Sequence, residues 1–501
     1  MSARHGIPLR GLGSAGRSAT FEGRFGRMFR TLSPAHYGRS DAESISNLTA
    51  LGSAMSSDFD PPKDGPDDEE SGIPALYTYF GQFIDHDITF DPASSLQKQN
   101  DPGALVDYRT PAFDLDNVYG RGPDDQPYLY DGNGAFLLGT DLAGGNAGAK
   151  DLPRNGATPA RALIGDPRND ENTIVSQLQG LFLRFHNRTL RDNPTLSFAQ
   201  VQQLVRFHYQ YVVLHDFLPR LVQANVLDEL KTNGRYDQHE LRLFHWRHEP
   251  FMPVEFSVAA YRLGHSMIRP GYRLNDQILL PIFPVAAQNL NDGLTGFRAM
   301  NPAWGIDWGR FIDIDVRKQD GSAADQQKRM QLAYRIDTSL VNPLATLPAA
   351  VASNPSSLAL RNLERGFRLG LPTGQAVAHA LGITPLHDEQ ILIGKAVDKP
   401  ETPIPSVASL HLKGFSNNIP LWTYILAEAM QAKASVEVNS VEKNKVSTPQ
   451  LGPVGGRIVA EVFLGLMFGD ANSLLRQHPH WHPASGANYK LRDFVKYALG
   501  L

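Results

Sequence analysis

The stretch YFGQFIDHDITFD, residues 79–91, sets a glutamine, three aspartates and a histidine among aromatic and aliphatic residues. Buried carboxylates are costly unless a partner, a metal or a covalent bond relieves them. If Leu76 to His86 is helical, Gln82 and His86 stand one turn apart on one face, with Asp85 beside them at the three-residue spacing. An imidazole, an amide and a carboxyl then look into one cavity. Asp87 lies about a hundred degrees further round, or just past the helix end, and points elsewhere. One short segment can thus serve two adjacent sites. Taken alone, it also reads as a polar helix end in which His86 is a structural histidine bonded to Asp85.

Three further stretches carry similar chemistry. In RTPAFDLDNVYG, residues 109–120, Thr110, Ala112, Asp114 and Asp116 recur at every second position. An extended loop would turn their oxygens, with the Ala112 carbonyl, to one side. With Asp87 as a fifth contributor the shell is all oxygen, which suits Ca²⁺ rather than Zn²⁺. The glycine and terminal glutamate of an EF-hand are missing, and a polar turn is the plainer alternative. In GDPRNDENTIVSQ, residues 165–177, Arg168 and Glu171 precede an apolar periodic run, a pattern that also describes a helix cap with a surface arginine. In YRLGHSMIRP, residues 261–270, His265 follows Gly264, where the missing side chain would let a flat cofactor approach a helix. A lone histidine there is otherwise a core residue.

The elements that must hold these residues are predominantly helical. Ile174, Leu178, Leu181, Phe182 and Phe185 form one apolar stripe, and Val201, Leu204, Val205, His208 and Val212 another. Later helices are expected from Glu255, Ser357, Pro420 and Gly455 onward. Strand-like alternation is scarce and no fixed-period repeat is visible, so a mainly α body with long loops is expected. The acidic, proline- and glycine-rich run Ser56–Ser71 reads as a solvated linker, which divides the chain into residues 1–70, an arm and linker, and residues 71–501, the globular body.

Composition narrows the function classes. The 501 residues are 42% hydrophobic and 20% charged, with a net charge of -4, values of an ordinary globular protein without a field directed at nucleic acid or an anionic membrane. Cysteine is absent. That removes disulfides, including a disulfide-linked dimer, thiolate-ligated haem, iron–sulfur clusters and cysteine nucleophiles. The first thirty residues are arginine-rich but lack the apolar run of a secretory signal, which favours the cytoplasm, with non-classical export as the alternative. The most apolar late segment, from Arg457, is interrupted by Glu461 and is too short to cross a bilayer. His478, His480 and His482 in HPHWHP invite a metal reading, against which a surface loop without acidic partners is the simpler one. His186, His208 and His215 read as structural.

Taken together and in order, the four motif stretches resemble the animal-type haem peroxidases of the peroxidase–cyclooxygenase superfamily, and particularly their bacterial members, over about residues 70–490. The resemblance implies a large single helical haem-peroxidase domain with few short strands. It implies that Gln82 and His86 line the peroxide pocket, with Arg168 as the distal arginine, and that Asp85 and Glu171 are carboxylates able to form esters with haem b. It implies Asp87, Thr110, Ala112, Asp114 and Asp116 as Ca²⁺ ligands and His265 as the iron ligand, with Arg262 nearby. NLERGFRLGLP, from Asn362, is similar to the segment whose asparagine bonds the proximal histidine and whose arginine, here Arg365, meets a haem propionate. Hydrogen peroxide and a small electron donor are the implied substrates, and a response to oxidative stress the implied setting.

Two rivals follow. Fatty-acid dioxygenases of the same superfamily place a tyrosine three residues before the proximal histidine, where this chain has Arg262, with Tyr261 one residue too early. Oxygen uptake with a polyunsaturated fatty acid separates that reading. The phenylalanine of LFHWRH also departs from the oxygenase motif. A non-catalytic, calcium-stabilised adhesion module is the rival of another class, and no RGD tripeptide occurs. One departure bears on the donor. Myeloperoxidase-like members carry a methionine after the matching glutamate, where a sulfonium link withdraws electrons from haem. Here that place is Asn172. Chloride oxidation should therefore be weak, leaving iodide, bromide, thiocyanate or phenols; a neutral-pH chlorination assay with high turnover would contradict this.

Overall fold

In a computed structural model of the protein, residues 25–89, 109–284, 292–349, 351–352, 354–438 and 445–501 are described. Positions 1–24 of the basic arm lie outside them. The fold is mainly helical, with 39% helix against 11% strand, and the strands occur as two-stranded pairs among the described residues. No helix of the described residues is long and apolar enough to cross a membrane.

The predicted helices form close to their sequence signals. Asn172 caps Thr173–Asp192 by accepting from the amides of Ile174 and Val175, and Ser197 with Gln200 makes a capping box for Phe198–Val212. Ser357 caps Leu358–Arg368. The helices Leu421–Gln431 and Pro453–Gly469 follow Pro420 and Gly452. Glu461, within the latter, is fully buried. Its carboxylate accepts from the amides of Arg242, Leu243 and Phe244 at 3.0, 2.6 and 3.0 Å and from Arg457 Nε at 2.6 Å. A charge that breaks an apolar run is thus the anchor of a neighbouring loop.

Helix Leu76–Ile88 is the central element, buried on nearly every side. It packs against Thr173–Asp192, where Phe83 and Phe182 stack at 4.2 Å, and against the 3₁₀ segment Ala260–His265. Residues predicted to continue one helix from Glu255 are split, with Val254–Val258 α-helical and a break at Ala259. Leu491–Leu499 lies on the other side of Thr173–Asp192, with Phe494 stacked on Phe185 at 4.0 Å.

The expected start of the body near position 71 differs from the structure. Asp41–Ala54 is already a helix, with Leu48 and Leu51 fully buried, and it packs on Leu358–Arg368. The acidic run that follows is tied to the body rather than solvated throughout. Asp64 meets Arg273 at 2.6 Å, Asp67 accepts from the Tyr334 hydroxyl at 2.9 Å, and buried Glu70 sits between Arg269 and Arg329 at 2.6 Å from each. The compensating arginines come from segments about two hundred residues away, which local composition cannot reveal. Still earlier, Phe25–Gly26 pairs in parallel with Met252–Pro253, and the amides of Met28 and Phe29 donate to buried Glu255 at 3.1 Å each. Replacing Phe494 with alanine should lower stability by about 3–5 kcal/mol, the usual cost of emptying a buried aromatic position, as read by urea unfolding.

Candidate functional site

A cavity of about 330 Å³ opens between helix Leu76–Ile88 and the Ala260–His265 segment. Gln82, Asp85, His86, Arg168 and Glu171 line one part of it, and Arg262, His265 and Arg365 another. Helical spacing brings the first three together, and the turn at Pro167–Asp170 delivers Arg168 and Glu171 to them. A Cβ added at Gly264 would meet nothing within 4 Å, so the backbone presents a bare face to the cavity there.

His86 is buried, and its Nδ1 lies 2.7 Å from Oδ1 of Asn169. The Asn169 amide nitrogen donates in turn to Gln179 at 2.8 Å. Asn169 therefore offers an oxygen, which places the imidazole proton on Nδ1 and leaves the Nε2 lone pair free. Nε2 stands 3.6 Å from Glu171 Oε1. Burial, reinforced by the nearby Arg168 guanidinium, lowers the His86 pKa to about 4, so the ring is neutral over the physiological range. Glu171 accepts from the Gln82 amide, whose oxygen accepts from Asn172 at 3.2 Å. Burial raises Glu171 to about 7, against the pull of Arg168. A good part of it is then uncharged near neutrality.

Arg168 is held from two sides. Its Nη2 donates to the carbonyls of His86 and Thr89 at 3.0 and 2.7 Å and to Asp166 Oδ2 at 2.8 Å. Burial disfavours ionisation of Asp166, but the guanidinium groups of Arg168 and Arg109 outweigh it and hold the carboxyl well below its ordinary range. His265, also in the cavity lining, has its Nδ1 2.8 Å from the Asn362 amide nitrogen. Burial, with Arg262 adding to it, lowers its pKa to about 3. In this arrangement the amide nitrogen donates to Nδ1, and the ring proton sits on Nε2. Coordination of a metal through Nε2 calls for the other tautomer, with the Asn362 amide turned to accept. Arg262 donates from Nε to the Ser257 carbonyl at 2.8 Å.

Behind the same helix end, Asp87, Asp114 and Asp116 bring carboxylate oxygens within 4.8 Å of one another. Asp87 is fully buried and neither of its oxygens finds a hydrogen bond of normal geometry, although the Tyr209 hydroxyl and the Leu115 amide face it. Burial and the two neighbouring aspartates push its pKa far above the carboxylate range. The expected extended loop is instead bent. The Ala112 amide donates back to the Thr110 carbonyl at 2.7 Å, Leu115 has φ 57°, and a short helix starts at Asp116. Thr110, Ala112 and Asp114 line one surface depression, while Asp114 also joins the carboxylate group.

Three residues escape sequence reading. Asn169 and Asp166 sit inside the PRNDEN stretch and one residue before it, where they can be taken for capping groups, and Arg109 adjoins the acidic loop. Tyr261, one residue out of register for the dioxygenase motif, lines the cavity and donates to the Gly81 carbonyl at 3.2 Å. The three histidines of HPHWHP go to different neighbours: His478 rests on Phe207, His480 meets Arg235 and His482 meets the Pro483 carbonyl. His186 bonds the Tyr119 hydroxyl at 3.0 Å, His208 bonds the Leu204 carbonyl at 2.8 Å, and His215 lies against the Tyr211 ring.

Comparison with known proteins bears on the fold and the family. The chain is 23% identical to thyroid peroxidase of Canis lupus familiaris over 448 residues, 73% of this chain and 45% of that protein. It is 28% identical to thyroid peroxidase of Homo sapiens over 222 residues, 42% of this chain and 21% of that one. It thus spans less than half the length of these curated relatives. Among solved structures, peroxidase A of Dictyostelium discoideum superposes with a TM-score of 0.56 at 15% identity, over 98% of this chain and 97% of that one. Fatty acid alpha-dioxygenase of Oryza sativa superposes at 0.53 with 16% identity, over 97% and 79%. At these identities the superpositions establish the fold. A sequence profile described as "Animal haem peroxidase" matches residues 96–430, two-thirds of the sequence, and the chain belongs to that family.

Proposed function

We propose that the protein is a haem peroxidase that reduces hydrogen peroxide with His86 and Arg168 and oxidises a small donor. The observation that carries this reading is the pair of imidazoles, His86 and His265, lining one cavity whose wall is bare at Gly264. The family implies haem, and the residues present fit it. His265 would ligate the iron, Asn362 would fix its tautomer, and Arg365, with Arg262 near it, would serve the propionates. Asp85 and Glu171 line the cavity where ester bonds would neutralise them. Glu171 already favours its uncharged form.

When bound, haem supplies an iron that takes electrons from the donor and passes them to peroxide. The protein supplies proton handling and charge. His86, neutral and with its Nε2 free, is suited to take a proton from one peroxide oxygen and return it to the other. Asn169 keeps the ring in the required tautomer, and Gln82 holds Glu171 beside it. Negative charge that develops on the departing oxygen would be stabilised by the Arg168 guanidinium. Asp166 and two backbone carbonyls fix the guanidinium in place, so little reorganisation is needed.

Calcium is proposed for the group of Asp87, Asp114 and Asp116, with Thr110 and Ala112 as further oxygen donors of the bent loop. Three clustered carboxylates, one of them buried with unbonded oxygens, need a cation of hard character. Donors are proposed to be halides other than chloride, thiocyanate or phenols. A second reading, dioxygenation of a fatty acid, is favoured by one observation, the presence of Tyr261 in the cavity wall.

Three outcomes test the proposal. Gly264→Leu should fold with nearly unchanged stability, since its Cβ meets no neighbour, yet fail to develop a Soret band on haem addition; a normal band would overturn the reading. Peroxidase rate should fall on acidification through about pH 4, the pKa at which His86 takes up a proton. Arg168→Leu should lower turnover about a hundredfold and, by removing a nearby positive charge, move that acid limb to higher pH, as read from pH–rate profiles.

A further inference from the structure

The cation group and the distal arginine are joined by a chain of buried ion pairs. Arg109 donates from Nη1 to Asp116 Oδ1 at 3.1 Å and from Nε to Asp166 Oδ2 at 2.9 Å. Its Nη2 lies 2.6 Å from the same Asp166 oxygen and donates to the Gly165 carbonyl at 3.1 Å. Asp166 in turn accepts from the backbone and guanidinium of Arg168. Both aspartates are fully buried and Arg109 nearly so. Water therefore screens little of this chain, and its members cannot exchange one partner for solvent without cost.

We infer that Arg109 is a positioning residue that couples the cation site to Arg168. One guanidinium serves two carboxylates, so its hold on each depends on what else neutralises them. A cation between Asp87, Asp114 and Asp116 satisfies Asp116 and releases Arg109 toward Asp166. Asp166 then competes less for Arg168, whose charge is left for an anion in the cavity. Without the cation, Asp116 draws Arg109 back and Asp166 grips Arg168 more firmly. The effect is reciprocal, because coupling between two binding equilibria has no direction. A second link exists, since Arg168 also donates to the carbonyls of His86 and Thr89 on either side of Asp87. That link does not pass through Arg109, and a double-substitution cycle separates the two.

The inference takes the calcium assignment from the proposed function but does not depend on haem. The test is Ca²⁺ affinity of the full-length protein, measured without added haem by displacement of Tb³⁺ luminescence, for the wild type, Arg109→Leu, Arg168→Leu and the double variant. Loss of Arg168 frees Asp166 to draw Arg109 away from Asp116, which favours the cation; with Arg109 gone that gain disappears. The double variant should thus bind Ca²⁺ at least about fivefold more weakly than the product of the single effects predicts, the lower end of ordinary site-to-site coupling. Single effects that multiply to within about twofold, as for independent sites, would overturn the inference. Arg109→Lys keeps the charge without the fork; it should hold Ca²⁺ nearly as the wild type does while losing most of the coupling, and it carries the cycle if Arg109→Leu does not fold. Full coupling retained by the lysine would sink the bridging role. Failure of Ca²⁺ to bind at millimolar concentration would overturn both the inference and the calcium assignment, while a missing Soret band on haem addition would count against the peroxidase reading alone.

Discussion

The structure depends on compensating charge that has been taken out of water at the C-terminal end of one helix. Within four residues, Leu76–Ile88 presents Asp85 and His86 to a cavity and Asp87 to a cluster of carboxylates. Asp87 could not stay ionised there unaided, since an isolated buried ion is far costlier than any single packing contact. The solution is to alternate signs outward from the helix, from Asp116 through Arg109 and Asp166 to Arg168, and to spend backbone carbonyls on the last guanidinium. The neutral histidine and the protected arginine follow from that arrangement.

The part of the lining around His265 is built by other means. His265 sits on a short 3₁₀ segment rather than on a long helix, and its orientation is imposed by Asn362 from Leu358–Arg368. Arg262 is turned back onto the Ser257 carbonyl, and its own carbonyl accepts from Trp422 at 3.3 Å. Asn362 and Trp422, both far off in sequence, thus fix this segment, one at the imidazole and the other at the Arg262 carbonyl. Precision comes from hydrogen bonds between elements, since the segment itself is too short to be rigid.

Much of this was legible in sequence because helical periodicity is a local property. Gln82, Asp85 and His86 share a face, Asp87 leaves it, and the long apolar stripes mark real helices, all from spacing alone. The loop of Thr110 to Asp116 shows where such reasoning stops, for every-second-residue spacing has meaning only in an extended chain, and the turn at Pro111 and left-handed Leu115 bend this one. Glu461 reads in sequence only as an interruption, because its three amide partners lie more than two hundred residues earlier. Asn169 and Asp166 were hidden for a different reason. Asparagine and aspartate before a helix are ordinary caps, and Asp166 does cap the Pro167–Asp170 turn while its other lone pairs hold two arginines.

Phe25 lines the cavity although it belongs to no helix. It is brought there by a strand of two residues, by Glu255 and by Arg27, which reaches the carbonyls of Leu369 and Gly370. This strip of the cavity wall is thus fastened at discrete points, by carboxylate and guanidinium groups that reach across the chain, rather than by a continuous ladder of backbone bonds.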